Sequence, residues 1–129
     1  MILYIEELSY IYQFILGGIF GAIFSSFYSL IFYRVPKYES INGRSRCNCG
    51  KIIPFYENIP ILGYFFLKGK SSCCNTNIPK FLVISEIISF IISGLILSIY
   101  NIFYLFCFLL FYGIVTTVIS LKKRRLRSK

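Results

Sequence analysis

Two long stretches without charged side chains dominate the pattern of the chain. The first runs from Tyr10 to Tyr33, 24 residues, and the second from Phe81 to Leu121, 41 residues interrupted by Glu86 alone. A helix rises about 1.5 Å per residue, so the first run extends roughly 36 Å and exceeds the ~30 Å hydrocarbon core of a bilayer. It therefore predicts a transmembrane helix over about 10–33. A signal peptide fits less well, because acidic residues precede the run and it is longer than the apolar segment of such a peptide.

The second stretch is about twice the length of one span, which predicts two helices joined by a tight turn. We place them at about 81–99 and 102–121, because Asn101 is the only strong turn former in the middle of the stretch. The alternative is one very long helix that protrudes from the bilayer. The predicted fold class is an all-α integral membrane protein, one domain over 1–129, with three transmembrane helices and a cysteine-containing loop over 34–80 between the first and the second.

Composition narrows the possible functions. Of 129 residues, 57% are hydrophobic and 15% are charged, whereas about 25% charged is usual in soluble domains. This balance excludes a disordered chain, and the length excludes a large soluble enzyme. The chain holds no histidine, and its five acidic residues are all glutamates. Neither a Ser-His-Asp nor a Cys-His arrangement can be built from these residues alone.

The basic residues fall into two blocks, the segment 34–80 and the tail after Leu121. The positive-inside rule predicts that both are cytoplasmic, with the N-terminus outside and the C-terminus inside. Three spans satisfy this rule, whereas two spans would leave one basic block outside. We interpret the tail as a stop-transfer anchor in contact with membrane lipid, and we expect no nucleic-acid partner.

Small residues recur at four-residue spacing along the first predicted span. They form Gly17-x-x-x-Gly21 and Gly18-x-x-x-Ala22, followed by Ser25, Ser26 and Ser29. Such spacing lets helix backbones approach closely in a membrane. We expect this face to pack on the other two helices or on a partner protein.

Glu86 is the one ionisable residue inside a predicted span, about one turn from its cytoplasmic end. Ser89 and Ser93 lie on the same helical face. Two interpretations stay open: an interfacial carboxylate satisfied by water or Lys80, or a structural or functional polar contact.

Four of the five cysteines lie in the loop, as Cys47, Cys49, Cys73 and Cys74. Cytosolic thiols stay reduced, so two cysteine pairs predict metal binding before they predict disulfides. Four thiolates around Zn²⁺ would stabilise a loop too small to fold by itself. The spacing C-x-C and C-C differs from the usual pair of C-x-x-C motifs, so zinc-bound and metal-free loops both stay open. Cys107 lies in an apolar span, where we expect it to pack.

The stretch from Gly21 to Pro36 resembles the first-span motif of the type IV prepilin leader peptidases, G-S-F-x-N-V followed three residues later by R-x-P. The matching residues are Ser26, Phe27, Arg34 and Pro36. Downstream, further segments match in order: Gly43-Arg-Ser45, Glu57-Asn-Ile-Pro60, Lys68-Gly-Lys70, Ile78 and Glu86. The resemblance covers residues 17–86 and implies a multi-pass protein of the bacterial inner membrane that takes part in processing prepilin-like precursors.

The cysteine pattern departs from that family. Cys49 and Cys74 align with the second cysteine of each family C-x-x-C pair. Ser71 occupies the first cysteine position of the second pair, and Cys73 is an extra neighbour. Cys47 lies one residue closer to its partner than in the family. The tetracysteine zinc site that the resemblance implies therefore depends here on a changed set of ligands.

The family resembles aspartic enzymes that act within the membrane, and the resemblance places the first catalytic aspartate at Ser120. Residues 1–129 contain no aspartate. An aspartyl pair needs two carboxyl groups that share a proton, and a serine replaces neither. We therefore assign no catalytic residue and expect a front half of such a peptidase, truncated before the catalytic aspartates.

Three functional hypotheses follow from these observations. The first is an N-terminal domain like that of prepilin leader peptidases, without proteolytic activity by itself. The second is a non-enzymatic partner module that binds prepilin or a separately encoded catalytic half. The third is an unrelated small basic membrane protein with chance motif matches.

Overall fold

A computed structural model describes residues 2–37, 44–47 and 49–128, with side chains from Ser9 onward. Its helices are α1 (Ile2–Arg34), α2 (Leu62–Phe66), α3 (Lys80–Ile99) and α4 (Ile102–Arg127). Single 3₁₀ turns follow α1 and precede α2. The described residues form no β-strand, only two isolated bridges. Gly43 and Lys129 lie outside the described residues.

Three helices are long and apolar enough to cross a membrane, within Ser9–Lys37, Lys80–Ile99 and Ile102–Arg127. The prediction of an all-α fold with three spans and a cysteine-containing loop between the first and the second is confirmed. The alternative of one very long helix over 81–121 is wrong, because α3 ends at Ile99 and α4 begins at Ile102. Asn101 caps α4, since its side-chain oxygen accepts a hydrogen bond from Phe103 N at 2.9 Å.

Helices α1 and α3 pack closely because glycines on α1 leave room for the backbone of α3. A Cβ at Gly17 would lie 2.6 Å from the Ser93 carbonyl oxygen, and one at Gly21 would overlap the Ser93 hydroxyl. The Ser89 hydroxyl donates to the Gly21 carbonyl at 2.9 Å. The small-residue face of the first span thus packs within the bundle, as one of the two sequence interpretations had it.

Helix α4 joins the bundle through a polar aromatic contact. The Ser25 hydroxyl lies 3.3 Å from the Tyr112 hydroxyl, and the Tyr112 ring meets Tyr28 edge-on at 5.7 Å between centroids. Gly113 leaves the space that Tyr28 fills. Large apolar side chains of α4 face outward, away from the bundle; among them are Phe103, Phe106, Phe111, Ile114 and Val118.

Cys107 corrects one sequence expectation. It is exposed on α4 and does not pack inside the bundle. The positions that α4 does bury are Leu105, Leu109, Gly113 and Ser120. Because Cys107 lies on another side of the helix than these buried positions, it faces outward with the exposed residues.

Candidate metal centre and its membrane anchor

The first cysteine pair lies in a tight turn. Cys47 N donates to the Lys51 carbonyl and Gly50 N donates to the Cys47 carbonyl, both at 2.8 Å. Gly50 has a φ of +82°, a conformation that side chains disfavour, so glycine suits this place. The turn brings Cys49 back beside Cys47.

The second pair lies in a similar turn further along the loop. Ser71 N donates to the Thr76 carbonyl at 2.9 Å, and Ile78 N donates to the Gly69 carbonyl at 2.8 Å. Asn75, with a φ of +56°, completes the turn. Asparagine tolerates this left-handed conformation better than most residues. The two turns therefore present their cysteines to one another across the loop.

The four cysteine sulfurs lie within 4.8 Å of one another. Cys47 and Cys73 are joined by a disulfide, while Cys49 and Cys74 are free thiols. The adjacent Cys73 and Cys74 sulfurs are 3.7 Å apart. Tetrahedral zinc with Zn–S bonds of about 2.3 Å places its sulfurs about 3.8 Å apart. Adjacent cysteines therefore fit one metal here, and once Cys47 and Cys73 are reduced the donor set suits Zn²⁺.

Ser71 lies at the centre of this cluster. The sequence analysis did not predict this serine as a site residue. Its hydroxyl is 3.2 Å from the Cys47 sulfur, 3.4 Å from the Cys74 sulfur and 3.1 Å from the Thr76 hydroxyl. The sequence feature that could have indicated Ser71 is its alignment with a cysteine position of the family. Cys73 brings a sulfur into the cluster beside the serine that stands in that position.

Hydrogen bonding changes the acidity of one free thiol. Hydrogen bonds from Ser71, and next from Thr76, lower the pKa of the Cys74 thiol from 9.0 to about 6. Burial opposes this change but does not outweigh it. The hydroxyl groups favour the thiolate because they donate to the charged sulfur. This change favours the thiolate, the form that ligates metals.

Glu86 joins the loop to the second span. Its side chain is 8% exposed, and its Oε2 accepts a hydrogen bond from Ile61 N at 2.7 Å. An interfacial carboxylate satisfied by water or Lys80 does not match this burial, so the interpretation as a polar contact holds. Glu86 thereby fixes the segment before α2 against α3, 25 residues further along the chain.

The residue that Glu86 holds has an unusual backbone. Ile61 has φ +64° and ψ −57°, and Leu62 N donates to the Pro60 carbonyl at 2.6 Å across it. This is a γ-turn of the rare, strained kind. Sparsely populated conformations cost about 1–3 kcal/mol and persist where the surroundings hold them. The carboxylate supplies one such contact, so the turn after Pro60 depends on Glu86.

Ser120 is fully buried in α4. Its hydroxyl donates to the Thr116 carbonyl at 2.7 Å, one turn earlier in the same helix. The group at the position that the resemblance assigns to an aspartate is therefore a neutral hydroxyl whose proton is already bonded. It has no carboxyl group with which to share or transfer a proton in an aspartyl mechanism.

These features define a class, a multi-pass membrane protein whose first two spans carry a folded cysteine loop. The family model of the bacterial peptidase A24 N-terminal domain matches residues 19–102. This chain belongs to that family. The hypothesis of an unrelated small membrane protein with chance motif matches is therefore wrong.

Curated relatives agree with the family. The prepilin leader peptidase/N-methyltransferase of Vibrio cholerae serotype O1 is 34% identical over 96 residues, which are 67% of this chain and 38% of the relative. The proteins of the same name from Klebsiella pneumoniae and Myxococcus xanthus are 30% and 36% identical, over 60% and 58% of this chain and 39% and 22% of their own lengths. The chain thus spans well under half of these relatives. No solved structure matches it.

Proposed function

We propose that residues 1–129 act as the N-terminal domain of a prepilin leader peptidase, present a folded cytoplasmic loop to prepilin-like precursors, and do not cleave them by themselves. The observation that carries this proposal is the Glu86–Ile61 hydrogen bond. It holds the loop against a span inside the stretch that the family model matches. A loop fixed at the membrane surface suits a substrate that is itself anchored in the membrane.

The proposed absence of proteolysis rests on the side chains present in residues 1–129. They include no aspartate, and the buried Ser120 hydroxyl is bonded within its own helix. A second candidate function has the same support: a non-enzymatic module that binds prepilin or a separately encoded catalytic half. The small-residue packing of α1 on α3 favours a stable bundle that such a partner could dock on.

The proposed topology places the N-terminus outside and both basic blocks in the cytoplasm of a bacterial inner membrane. The separation of charge supports it, since six basic residues follow Leu121 and the segment 34–80 is also basic. A reporter protein that is fused after the last residue should show activity in the cytoplasm and none on the outer side. Activity on the outer side would overturn the topology.

The proposed metal ligands are Cys47, Cys49, Cys73 and Cys74, which in the reduced state would hold one structural Zn²⁺. When bound, the ion supplies cross-links between the two turns and no chemistry on a substrate. The cysteines and Ser71 then act by holding the loop in a shape that a precursor can recognise.

The test of function is prepilin cleavage in membranes that contain this protein, with and without the products of neighbouring genes. Cleavage only with a neighbour would support a recognition half of a split peptidase. Precursor binding without cleavage in either membrane would support the partner module. Cleavage by these residues alone would overturn the proposal, and so would the absence of any precursor binding. The Ser120→Asp variant, which carries a single aspartate, should not cleave either.

A further inference from the structure

A groove with a volume of about 400 Å³ lies where the second cysteine turn meets the start of α3. We call it the lysine groove and define it by Tyr64, Lys68, Lys70, Asn77 and Lys80, which line it. Neither the metal ligands nor the Glu86 contact forms part of its wall. It therefore needs an explanation of its own.

The charge of the lysine groove is positive and is not balanced by its walls. Three lysines line it, and none of the carboxylates that the structure describes does. The two carboxylates among the described side chains lie outside this lining, where Glu57 accepts from the Ser72 hydroxyl and Glu86 accepts from Ile61 N. Like charges gathered around a concave surface raise the local concentration of anions. The Tyr64 hydroxyl and the Asn77 amide add neutral donors for an oxyanion.

The groove is built by a fixed backbone. Lys68 has a φ of +50°, which non-glycine residues adopt uncommonly. Lys68 N donates to the Phe65 carbonyl at 3.1 Å, and Gly69 N donates to the Tyr64 carbonyl at 2.9 Å. An isolated bridge pairs Lys70 with Asn77 across the groove. These bonds set the spacing of the lining residues before any ligand binds.

The position of the groove indicates the source of the anion. Lys80 is the first residue of α3, so the groove lies where the second span meets the water phase. Beside it, α2 exposes Phe65 and Phe66 at 61% and 76%. Exposed aromatic side chains next to lysines are typical of segments that lie in the headgroup region of a bilayer. A soluble anion would not account for these aromatic residues.

We propose that the lysine groove binds the phosphodiester headgroup of an anionic membrane lipid, while Phe65 and Phe66 enter the interfacial layer beside it. The lysine ammonium groups neutralise the phosphate, and their methylene stems cover apolar surface. Such a site differs from the diffuse attraction of the basic tail, because it is concave and has a defined lining at the start of α3.

The test compares lipid retention by the full chain purified in detergent. Phosphatidylglycerol or phosphatidylcholine is titrated in, and the bound lipid is counted by native mass spectrometry. The pocket variant carries Lys68→Gln, Lys70→Gln and Lys80→Gln. The charge-matched control carries Lys51→Gln, Lys122→Gln and Arg127→Gln, which lie outside the groove. Helical circular dichroism checks that both variants fold.

We expect one phosphatidylglycerol to bind the wild-type chain, at least tenfold more tightly than phosphatidylcholine. The pocket variant should lose at least tenfold in that affinity, and the control should stay within twofold. If the pocket variant does not fold, Lys70→Gln alone should still lose at least threefold.

Three results would overturn the proposal. Equal losses in both triple variants would mean diffuse charge, and no loss in the pocket variant would mean that the groove does not bind lipid. Full displacement of the lipid by millimolar inorganic phosphate would mean a site for soluble anions instead.

Discussion

The membrane bundle and the cysteine loop become compact by different means. In the bundle, the largest fully buried side chains are Ser25, Ser93 and Ser120, and glycines bring α1 against α3. In the loop, Pro36 and Cys47 are the only described apolar side chains that are buried. The bundle is therefore held by close backbone contact, and the loop by the cross-link between Cys47 and Cys73.

This difference follows from the two solvents. Lipid is as apolar as leucine, so helices in a bilayer gain little by burying large side chains and instead gain from close packing. A loop of this size in water cannot bury enough apolar surface to offset its conformational entropy. Metal ions and disulfides stabilise such small units. Glu86 lies where the two regions meet and joins them through its hydrogen bond with Ile61 N.

The largest effect we expect is on the loop, from removal of metal. Reduced protein should bind one zinc per chain, and a chelator should make residues 44–78 at least a hundredfold more sensitive to protease. Structural zinc contributes about 10–16 kcal/mol in small zinc-dependent domains. The helical circular dichroism of the bundle should not change, because no sulfur of the cluster lies in a span. The measurements are metal analysis and proteolysis followed by mass spectrometry.

The matched control for metal removal is Cys107→Ser, because Cys107 is exposed on α4 and far along the chain from the cluster. This variant should keep its zinc. Cys74→Ser should lose at least a hundredfold in zinc affinity. A reduced protein that holds no zinc would contradict the metal site. The Cys47–Cys73 disulfide would then be the only cross-link on which the loop depends.

The second effect is on the bundle. Gly21→Leu should destabilise it by about 3 kcal/mol or more, because any side chain at Gly21 meets the Ser89 carbonyl and the Ser93 hydroxyl. The measurement is thermal loss of helical circular dichroism in detergent. Ile23→Leu on the lipid-facing side of α1 is the control, since Ile23 is 51% exposed, and its effect should be below about 0.5 kcal/mol. An unchanged melting temperature for Gly21→Leu would refute the packing of α1 on α3.

The third effect is on the junction. Glu86→Ala removes the acceptor of Ile61 N and should loosen the loop by about 1.5–3 kcal/mol, the usual range for a hydrogen bond to a charged group. Glu86→Gln keeps an oxygen acceptor and should lose less. The rate of protease cleavage within 49–78 measures this, with the bundle's helicity as reference.

The control for the junction is Glu57→Ala. Its carboxylate accepts from the Ser72 hydroxyl at an exposed place, so it should have little effect. If Glu57→Ala loosens the loop as much as Glu86→Ala does, the junction has no special role.

The fold followed from the sequence because charge marks where a chain leaves the lipid. The predicted span 81–99 differs by one residue from α3, Lys80–Ile99. The outer ends fit less well: α1 begins at Ile2 and α4 continues to Arg127. Charged residues end a span, but they do not end a helix, since their backbone hydrogen bonds continue in water.

The site could be predicted only in part. Cys47, Cys49, Cys73 and Cys74 were identifiable because few residue types bind metals. The contact between Glu86 and Ile61 could not be predicted, since a backbone N–H donor leaves no trace in the residue type. The γ-turn at Ile61 was hidden for the same reason, because an isoleucine does not indicate a positive φ.

The smallest effect concerns the acidity of Cys74. Its alkylation rate by iodoacetamide should rise with pH through a midpoint near 6, because the Ser71 hydroxyl and then the Thr76 hydroxyl lower the pKa of this thiol. The stability of the loop should also rise with pH. The contribution of these hydrogen bonds is complete above pH 9 and is lost as the pH falls through about 6. Ser71→Ala should move the midpoint upward, whereas Ser72→Ala, whose hydroxyl bonds to Glu57, should not. Equal midpoints in both variants would mean that Cys74 owes its acidity to something other than Ser71, and that the serine at the family's cysteine position plays no part in the cluster.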